Sequence, residues 1–444
     1  MNDDIIVALA TSRLEAAISI IRLSGKGCIN FVQSFFSGAI KDKPTRTLTY
    51  GYIMDGEERI DEVLVSIFRG KHTFSGEESV EINCHGGVFI TNKVLELCIR
   101  KGARMAERGE FSKRAFLNGR IDLSQAEAVS DMISAQNDEA AKMALRGIRG
   151  NISNFISDLK EDLIQIITQI EVNIDYPEYD DVEELTAEKL LPESKSLRKK
   201  MDDILRKSKN VRLVKEGIST VIVGKPNVGK SSLLNALLEE DKAIVTDIAG
   251  TTRDIVEGSI RLDHLVLNMI DTAGIHHTND KIETMGVEKS LSLIDQADLV
   301  LVVLDGSKPL EQEDHDLLEK TKDTNRIIII NKKDIDKVID IEGVEISAKQ
   351  ADITALTEYI RNTFDLSSIS GENAKVLANE RQYQLLIQAS QALDRAIEAM
   401  EMFIPVDLIV EDLYDCWNHL KEILGEQAKE DLLDELFKRF CVGK

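Results

Sequence analysis

The apolar positions of this chain change period several times along its length, and each change predicts a different kind of element. In the first 117 residues, apolar runs of strand length occur at 5–10, 17–25, 47–54, 63–68 and 80–87. Short apolar runs bounded by glycine and polar residues are typical of strands. The stretch Thr91–Arg100 has helical spacing instead. Residues 1–117 are therefore predicted to form an α+β domain.

From residue 118 to residue 214 the spacing of apolar residues becomes helical. Apolar residues between Ile152 and Ile170 recur at i, i+3, i+4 and i+7, which predicts a long amphipathic helix. The same period covers about 187–209 and returns near the C-terminus. The C-terminal helices are predicted at 378–402, 407–424 and 429–440.

Between the two helical parts, residues 215–366 alternate apolar strands with helical segments. The apolar runs at 220–223, 265–270 and 327–330 each lead into a polar or glycine-containing motif. Such alternation predicts a doubly wound α/β domain. Because a domain of this class is one compact unit, we predict that it is inserted into a discontinuous helical domain made of 118–214 and 367–444.

The first of these strands leads into G-K-P-N-V-G-K-S at 224–231. A G-x-x-x-x-G-K-S stretch between a strand and a helix is a phosphate-binding P-loop. Its backbone N–H groups and the helix N-terminus point at phosphate oxygens. Lys230 is expected to reach the β- and γ-phosphates, and Ser231 is expected to bind Mg²⁺.

Three further motifs follow in the order that a GTP site requires. D-T-A-G at 271–274 would place its aspartate near Mg²⁺ and its glycine against the γ-phosphate. In N-K-K-D at 331–334, Asp334 would accept hydrogen bonds from N1–H and the 2-amino group of guanine, which adenine does not offer in that geometry. S-A-K at 347–349 would back the base. Ligands of α/β sheets bind at the carboxyl ends of the strands, so these motifs predict GTP binding.

The segment I-V-T-D-I-A-G-T-T-R-D at 244–254 lies between the P-loop and D-T-A-G. A threonine in this region is needed to close over Mg²⁺ when the γ-phosphate is present. Thr252 is predicted for this role, with Thr251 beside it. The predicted GTP-binding residues are Asn227, Val228, Gly229, Lys230, Ser231, Ser232, Thr246, Asp247, Ile248, Ala249, Gly250, Thr251, Thr252, Asp271, Thr272, Ala273, Gly274, Asn331, Lys332, Asp334, Ser347, Ala348 and Lys349.

Hydrolysis of GTP needs a polar group that orients the attacking water. Small GTPases place a glutamine directly after D-x-x-G for this purpose. In this chain the position is Ile275, which cannot orient water. The catalytic group is therefore expected in the loop that follows, whose polar candidates are His276, His277, Asp280 and Glu283.

Composition limits the classes of protein to which the chain can belong. Its 444 residues, 43% of them hydrophobic, are enough for about three domains. The net charge of −23 argues against tight non-specific binding of nucleic acid. The N-terminus does not resemble a signal peptide, and no apolar run approaches the roughly 20 residues of a membrane span. Five cysteines without a C-x-x-C pair indicate reduced thiols in the cytoplasm and no structural zinc.

Several charged residues of the N-terminal part have a structural interpretation that the sequence alone favours. Arg22 and Glu81 lie within apolar strands, where charged residues usually face outward. His85, beside two glycines, is more simply a structural hydrogen-bonding group than a ligand or base. A basic cluster is more simply a solvated face than a binding surface. Its members are Arg100, Lys101, Arg104, Arg108, Lys113, Arg114 and Arg120.

Taken together, the motifs resemble the bacterial MnmE family of tRNA modification GTPases, also called TrmE. The resemblance rests on G-K-P-N-V-G-K-S, D-I-A-G-T-T-R-D, D-T-A-G, N-K-K-D and the final C-V-G-K. The blocks V-E-I-N-C-H-G-G and G-E-F-S-K-R-A-F-L-N-G-R-I-D-L-S-Q-A-E-A-V are similar to that family as well. Other GTPases share the G-domain motifs, so the N-terminal blocks and the tail are the more specific elements. The resemblance covers essentially the whole chain.

The resemblance implies a homodimer whose residues 1–117 dimerise and bind a tetrahydrofolate one-carbon donor, 5,10-methylene- or 5-formyl-tetrahydrofolate. It implies a helical domain from 118–214 and 367–444, and a G domain at 215–366. It also implies an FAD-dependent partner, MnmG, in a heterotetramer or larger complex. Together the two proteins would add an aminomethyl or carboxymethylaminomethyl group to C5 of the wobble uridine, position 34, of certain tRNAs.

For the site residues, the resemblance implies that K⁺-stabilised dimerisation of the G domains triggers hydrolysis. By position it assigns the catalytic acid to Glu283. It assigns K⁺ binding to Asn227, Thr246, Ile248 and Thr251. It assigns folate binding to Arg22, Glu81, Arg120 and Lys444. Arg120 stands where some members have lysine, which keeps the charge but changes the geometry.

Cys441, in the C-terminal tail, is a nucleophile candidate, but the sequence shows no base beside it. Two other functions are compatible with the G-domain motifs. A ribosome-assembly GTPase would be expected to carry a KH or other basic RNA-binding module, and the acidic C-terminal helices offer none. A structural scaffold with a vestigial G domain conflicts with the intact nucleotide motifs.

Overall fold

The computed structural model describes residues 4–175, 187–208, 211–240, 256–262, 265–270, 294, 297–364, 376–377, 379–427, 430–438, 440 and 443. The chain divides into two compact units. The first unit comprises Met1–Ile133, Leu145–Met201 and Gln384–Lys444, and the second comprises Ser134–Ala144 and Asp202–Tyr383.

Strands and helices follow one another as the changing periods predict. The strands are β1 (Ile6–Leu9), β2 (Ile18–Ser24), β3 (Thr47–Asp55), β4 (Glu58–Phe68), β5 (Ser79–His85), β6 (Arg104–Met105), β7 (Ile218–Val223), β8 (Val256–Leu262), β9 (Leu265–Ile270), β10 (Leu299–Asp305), β11 (Arg326–Asn331) and β12 (Val344–Glu345). The helices are α1 (Cys28–Gln33), α2 (Val88–Arg100), α3 (Glu110–Leu117), α4 (Leu123–Ser134), α5 (Asp138–Ile148), α6 (Asn151–Asp175), α7 (Ala187–Ser208), α8 (Val211–Glu216), α9 (Lys230–Glu240), α10 (Gln312–Lys320), α11 (Thr354–Thr363), α12 (Glu380–Glu401), α13 (Val406–Leu424) and α14 (Glu430–Lys438).

A six-stranded sheet in the order β3-β4-β5-β2-β1-β6 forms the N-terminal part of the first unit. Its described pairs are antiparallel except that β1 and β6 run parallel. Along β4, Val63, Val65 and Ile67 are buried, and the residues between them are more exposed. This alternation turns one face of the sheet into a core that α1 and α2 cover.

The helical part of the first unit is held together by long apolar stripes. In α6 the residues from Ile152 to Ile170 that recur at helical spacing are buried, as predicted. They face α13, whose own stripe runs from Ile409 to Leu424. Burying each large apolar side chain stabilises the pair by roughly 1.5–3 kcal/mol. The two helices are thus held by burial and not by helix propensity alone.

The C-terminal helix α14 packs against α3 of the N-terminal part. Phe437 and Phe440 lie in one cluster with Leu123 and Ala126 of α4. Gly109 precedes α3 at φ 68°, and a Cβ there would overlap the backbone carbonyl of Phe437. The close approach of the two helices therefore requires glycine at this position.

The second unit contains a six-stranded sheet in the order β12-β11-β10-β7-β9-β8. Its described pairs are parallel except β8–β9. In β10, Leu299, Leu301 and Val303 belong to one core, and the residues between them belong to another on the opposite face. A parallel strand buried on both faces explains the continuous apolar run. This is the predicted doubly wound α/β fold, and it lies between two stretches of helices in the chain.

Several described elements were not predicted or begin elsewhere, and β4, α3 and β8 show the reasons. β4 begins at Glu58, not at Val63, because a turn with Gly56 at φ 62° returns the chain directly from β3. The charged start of the strand concealed this hairpin. α3 lies inside the segment predicted as α+β, and β8 was not predicted. β8 pairs antiparallel with β9 at the sheet edge, where an alternating polar pattern suffices. The domain boundaries at 117, 214 and 366 remain predictions.

The prediction that the basic cluster is a solvated face is wrong for part of the cluster. Arg114 is buried, and its guanidinium donates to Asp4, Glu77 and Glu110. Arg104 pairs with the same Asp4 and Glu110. These ion pairs join the N-terminal strand region to α3 and to the loop before β5. Lys113 similarly pairs with Asp434 of α14.

Candidate functional site

The P-loop lies between the end of β7 and the start of α9, as predicted. Asn227 and Gly229 have φ values of 63° and 105°, so the loop turns through left-handed backbone twice within three residues. A Cβ at Gly229 would overlap Nδ2 of Asn331, and one at Gly224 would approach the carbonyl oxygen of Val303 to 2.5 Å. The loop therefore packs too closely against Val303 and Asn331 for side chains at these glycines, and its left-handed turns give it the curved backbone, here called the cradle, that a phosphate site requires.

Lys230 begins α9 and folds back over this loop. Its Nζ donates to the carbonyl oxygens of Gly224 at 2.9 Å and Lys225 at 2.8 Å. The ammonium is therefore held at the mouth of the cradle. A phosphate oxygen arriving there would meet both the ammonium and the N-terminus of α9.

Asn331 connects three of the predicted motifs. Its Nδ2 donates to the carbonyl oxygen of Val228 in the P-loop at 2.8 Å. Its Oδ1 accepts from the backbone N–H of Ala348 at 3.0 Å. One buried side chain at the end of β11 therefore joins the P-loop to the S-A-K segment.

Asp334 lies at the edge of the same arrangement. Its Oδ1 accepts from the hydroxyl of Ser347 at 2.7 Å. This hydrogen bond, with the nearby Lys349 and Lys332, holds the pKa of Asp334 below its usual range. The group is therefore an ionised acceptor at neutral pH, as recognition of N1–H and the 2-amino group of guanine requires.

Sequence reasoning did not single out two ion-pair sites beside these motifs. Lys225, the second residue of the P-loop, lies 2.7 Å from Glu311 and 2.7 Å from Asp314. The same two acidic residues form the capping box of α10. At the other end of the site, Lys332 pairs with Asp305 at 2.6 Å. Asp305 ends an apolar strand, and this position is a signal in the sequence, but it is not specific enough to identify the residue by itself.

Several predicted residues lie outside the described part of the chain, and the structure does not test them. They are Thr246, Asp247, Ile248, Ala249, Gly250, Thr251, Thr252, Asp271, Thr272, Ala273, Gly274, His276, His277, Asp280, Glu283, Cys441 and Lys444.

The donor chemistry of the described residues fits the expected ions. Ser231 lies in the first turn of α9, and Asn227 lies in the P-loop, so this part of the site contains a hydroxyl and an amide oxygen. Such hard oxygen donors are the ligands that Mg²⁺ and K⁺ prefer. Among the residues that the structure describes, no three His, Cys, Asp or Glu side chains form a cluster that could hold a metal by themselves.

Arg22 and Glu81 form the centre of a second candidate site, which we call the N-terminal site. They are opposite each other on β2 and β5, with Arg22 Nε 3.0 Å from Glu81 Oε1. The prediction that they simply face outward is wrong, because only 17% and 23% of the two side chains are exposed. The Arg22 guanidinium lies 4.9 Å from the ring centre of Phe74 and 5.9 Å from that of Phe111.

The C-terminal tail reaches this N-terminal site. Arg22 Nη1 donates to the carbonyl oxygen of Gly443 at 3.2 Å. Gly443 has φ 89°, and a Cβ there would approach the carbonyl oxygen of Leu9 to 2.5 Å. Arg120, although exposed, donates from Nε to the carbonyl oxygen of Thr73, the neighbour of Phe74. Of the four predicted folate residues, Arg22 and Glu81 contact each other, Arg120 contacts Thr73 next to Phe74 in sequence, and Lys444 follows Gly443 in the chain.

His85 has the structural role that the sequence favoured. Its Nδ1 lies 2.6 Å from Oδ1 of Asp61, and its backbone N–H donates to Oδ2 of the same carboxylate at 2.9 Å. The hydrogen bond that His85 donates to the Asp61 carboxylate raises the pKa of His85 above its usual value.

The described cysteines are buried and form no disulfide. Burial raises the pKa of Cys84 to about 11 and those of Cys98 and Cys416 to about 12. It also raises the pKa of Cys28. These four thiols are therefore unreactive at neutral pH.

Comparison with known proteins identifies the family. Residues 5–120 match the profile of the GTP-binding protein TrmE N-terminus, and residues 123–441 match that of the MnmE helical domain. A "tRNA modification GTPase MnmE" of Lactococcus lactis subsp. cremoris (strain SK11) is 45% identical over 448 residues, covering 99% of this chain and 98% of the relative. The chain belongs to the MnmE family of tRNA modification GTPases. A second MnmE, from Staphylococcus aureus (strain Newman), is 44% identical over 459 residues and covers both chains completely.

Solved structures add little to this assignment to the MnmE family. The crystal structure of an Aquifex aeolicus Era variant bound to GDP.AlF4- is 25% identical and covers 39% of this chain and 66% of that chain. Its TM-score of 0.24 is too low to support an argument. No helix among the described residues is long and apolar enough to cross a membrane.

Proposed function

We propose that this chain is a GTP-hydrolysing protein of tRNA modification that acts in the cytoplasm. The observation that carries the nucleotide part is the position of Asn331, which joins the P-loop to the segment proposed to back the base. Through these two hydrogen bonds, the P-loop, N-K-K-D and S-A-K would form one nucleotide site, although they are far apart in sequence. The P-loop would bind the phosphates, and the other two motifs would bind the base. Membership of the MnmE family supports the tRNA part.

In the proposed nucleotide complex, the described residues bind and orient the substrate. The P-loop N–H groups and Lys230 bind the β- and γ-phosphates, and Asp334 recognises guanine. Ser231 and Thr252 would hold Mg²⁺, which neutralises charge that develops on the phosphates. Glu283 would orient the attacking water, the role for which Ile275 is unsuited, and D-T-A-G would contact the γ-phosphate.

We further propose that K⁺ binds beside the phosphates through Asn227, Thr246, Ile248 and Thr251. A cation at this place can stabilise transition-state charge in the way that an arginine finger does. The G domains of two copies would then associate across their nucleotides. Asn227 lies in the P-loop and carries an amide oxygen, a hard donor that suits K⁺.

The experiment that tests this catalytic proposal compares GTP hydrolysis by the full chain in K⁺ and Na⁺ at equal ionic strength. We expect turnover to be at least about tenfold faster in K⁺, because Na⁺ fits the same oxygen ligands less well. The Glu283→Ala variant should be slow in both salts while GTP affinity is retained. Equal turnover in the two salts would exclude the K⁺ site, and full activity of Glu283→Ala would exclude the assigned catalytic residue.

For the N-terminal site we propose a tetrahydrofolate one-carbon donor. Arg22, Arg120 and Lys444 provide cations for its glutamate carboxylates, and Glu81 provides an acceptor for the N–H edge of the pterin. Phe74, which is partly exposed, offers aromatic surface beside Arg22. The proposed partners are a second copy of the chain, an FAD-dependent MnmG protein and tRNA. The product would be an aminomethyl or carboxymethylaminomethyl group at C5 of uridine 34.

A further inference from the structure

Asp305 ends β10 beside the nucleotide motifs, although it belongs to none of them. In the parallel pairing of β10 with β11 it lies opposite Asn331. Its Oδ2 accepts from Nζ of Lys332 at 2.6 Å. Its Oδ1 accepts from the backbone N–H of Ser307 at 3.1 Å and from the Ser307 hydroxyl at 2.6 Å. Both carboxylate oxygens are used, so the orientation of the carboxylate is fixed.

The pair of Asp305 and Lys332 is partly shielded from water. The exposed fractions of the two side chains are 10% and 30%, respectively. Burial alone would raise the pKa of Asp305, but the hydrogen bonds from Lys332 and Ser307 outweigh it and the pKa is lowered. Asp305 is therefore an anion at neutral pH, and a shielded ionic hydrogen bond is stronger than an exposed one.

Lys332 is the residue whose conformation the ion pair with Asp305 would restrict most. It has φ 69°, an uncommon backbone conformation for a residue other than glycine. It directly follows Asn331, which joins the loops, and it lies two residues before Asp334. A lysine side chain has four rotatable bonds, and without a partner it populates many rotamers. The hydrogen bond to Asp305 restricts the Lys332 side chain to few of these rotamers, at a position next to the proposed guanine pocket.

We propose that Asp305 is a positioning residue for guanine nucleotide binding, acting through Lys332, whose aliphatic stem it holds along the base pocket. The proposal rests on the proposed GTP site. Fixing a side chain in its bound conformation lowers the entropy that binding must remove, and this raises affinity. Neither Asp305 nor Lys332 belongs to the phosphate-binding motifs. Their pair should therefore affect nucleotide affinity and leave the hydrolysis step unchanged.

The test uses the full chain and the substitution Asp305→Asn, which keeps the size of the side chain and an oxygen for Ser307. The dissociation constant of a fluorescent GDP analogue and the KM for GTP should both rise about tenfold, as the loss of an ionic hydrogen bond predicts. The kcat should change less than about twofold, because the phosphate-binding motifs are untouched. Asp316→Asn removes an exposed carboxylate of α10 and serves as the control, with affinity expected to equal that of the wild type.

A double-mutant cycle distinguishes positioning from a general structural role. Lys332→Met keeps the aliphatic stem and removes the ammonium. If Asp305 acts through Lys332, adding Asp305→Asn to Lys332→Met causes no further loss of GDP affinity. Additive losses, or wild-type affinity of Asp305→Asn, would overturn the proposal. If the wild-type chain itself bound no GDP, the proposed function would fail instead, and that outcome is distinct from these.

Discussion

At the scale of single residues, the chemistry of Asn331 explains why the nucleotide motifs can come together. Its amide donates to one backbone carbonyl and accepts from one backbone N–H. An aspartate could not donate to Val228, and a leucine could do neither. Asn331 is also buried, so a lost hydrogen bond would leave an unsatisfied backbone group. Both the type and the position of this residue are therefore required.

Asp334→Asn should change the base that the site prefers. The carboxylate of Asp334 accepts from two donors of guanine, whereas an amide can accept from N1–H and donate to a carbonyl at C2. Xanthine carries that carbonyl. We expect GTP affinity to fall about a hundredfold and XTP affinity to rise, because a site with mismatched polar groups leaves them unpaired. Competition between GTP, XTP and ATP for a fluorescent nucleotide measures this. Unchanged preference for GTP would contradict the role of Asp334.

The sequence predicted the motif residues because each motif directly follows an apolar run and has fixed internal spacing. Asp305 also follows such a run, but a single aspartate at a strand end has no spacing that distinguishes it. Arg114 could not be predicted to be buried, because its partners Asp4 and Glu77 are 110 and 37 positions away in sequence. Pairing of this kind is set by the tertiary fold and leaves no local pattern.

At the scale of elements, α3 shows why a short helix is hard to predict, since neighbouring elements hold it from two sides. Its residue Phe111 is buried with Ile6 and Ala8 of β1. Its polar side carries the ion pairs of Arg114, and α14 packs against it as well. The long helices α6 and α13 were predicted from their stripes because each stripe extends over several turns. A helix of eight residues gives too short a pattern for the same inference.

Arg114→Met should destabilise the first unit by about 2 kcal/mol, because it removes the buried cation of Asp4 and Glu110 and leaves them only the more exposed Arg104. Burial alone would raise the pKa values of Asp4 and Glu110, but both are lowered in the fold. For Asp4 the hydrogen bonds from Arg104 and Arg114 contribute to this. For Glu110 the hydrogen bonds from Arg104 and from the backbone N–H of Glu107 contribute. Groups with lowered pKa values stabilise the fold above their unfolded-state pKa values and lose this effect as pH falls through the folded-state values.

The destabilisation by Arg114→Met should therefore be largest near neutral pH and should shrink below about pH 4, near the unfolded-state values of Asp and Glu. Urea unfolding at several pH values measures it. Arg108→Met, an exposed member of the same basic cluster, is the matched control. A loss that is equal for both variants, or independent of pH, would show that the ion pairs do not anchor α3.

At the scale of the whole molecule, the chain matches its MnmE relatives over their full length. The nucleotide motifs lie in the second unit, and the N-terminal site lies in the first. The sequence indicated separate stretches for the two sites because the P-loop motifs follow the strand pattern of the N-terminal part at a distance, whereas the domain boundaries stay predictions. It did not predict that Gly443, near the last residue, contacts Arg22 of β2. A contact over 421 positions depends on how the C-terminal helices pack.

Nucleoside mass spectrometry of tRNA would show whether this chain acts in tRNA modification. Total tRNA would be compared from cells with the gene, without it, and with the gene restored as wild type or as Arg22→Ala. We predict that the aminomethyl-type groups on C5 of the wobble uridine disappear without the gene, return with the wild type and stay absent with Arg22→Ala. An unchanged nucleoside profile, with ribosomal subunits accumulating instead, would contradict the claim.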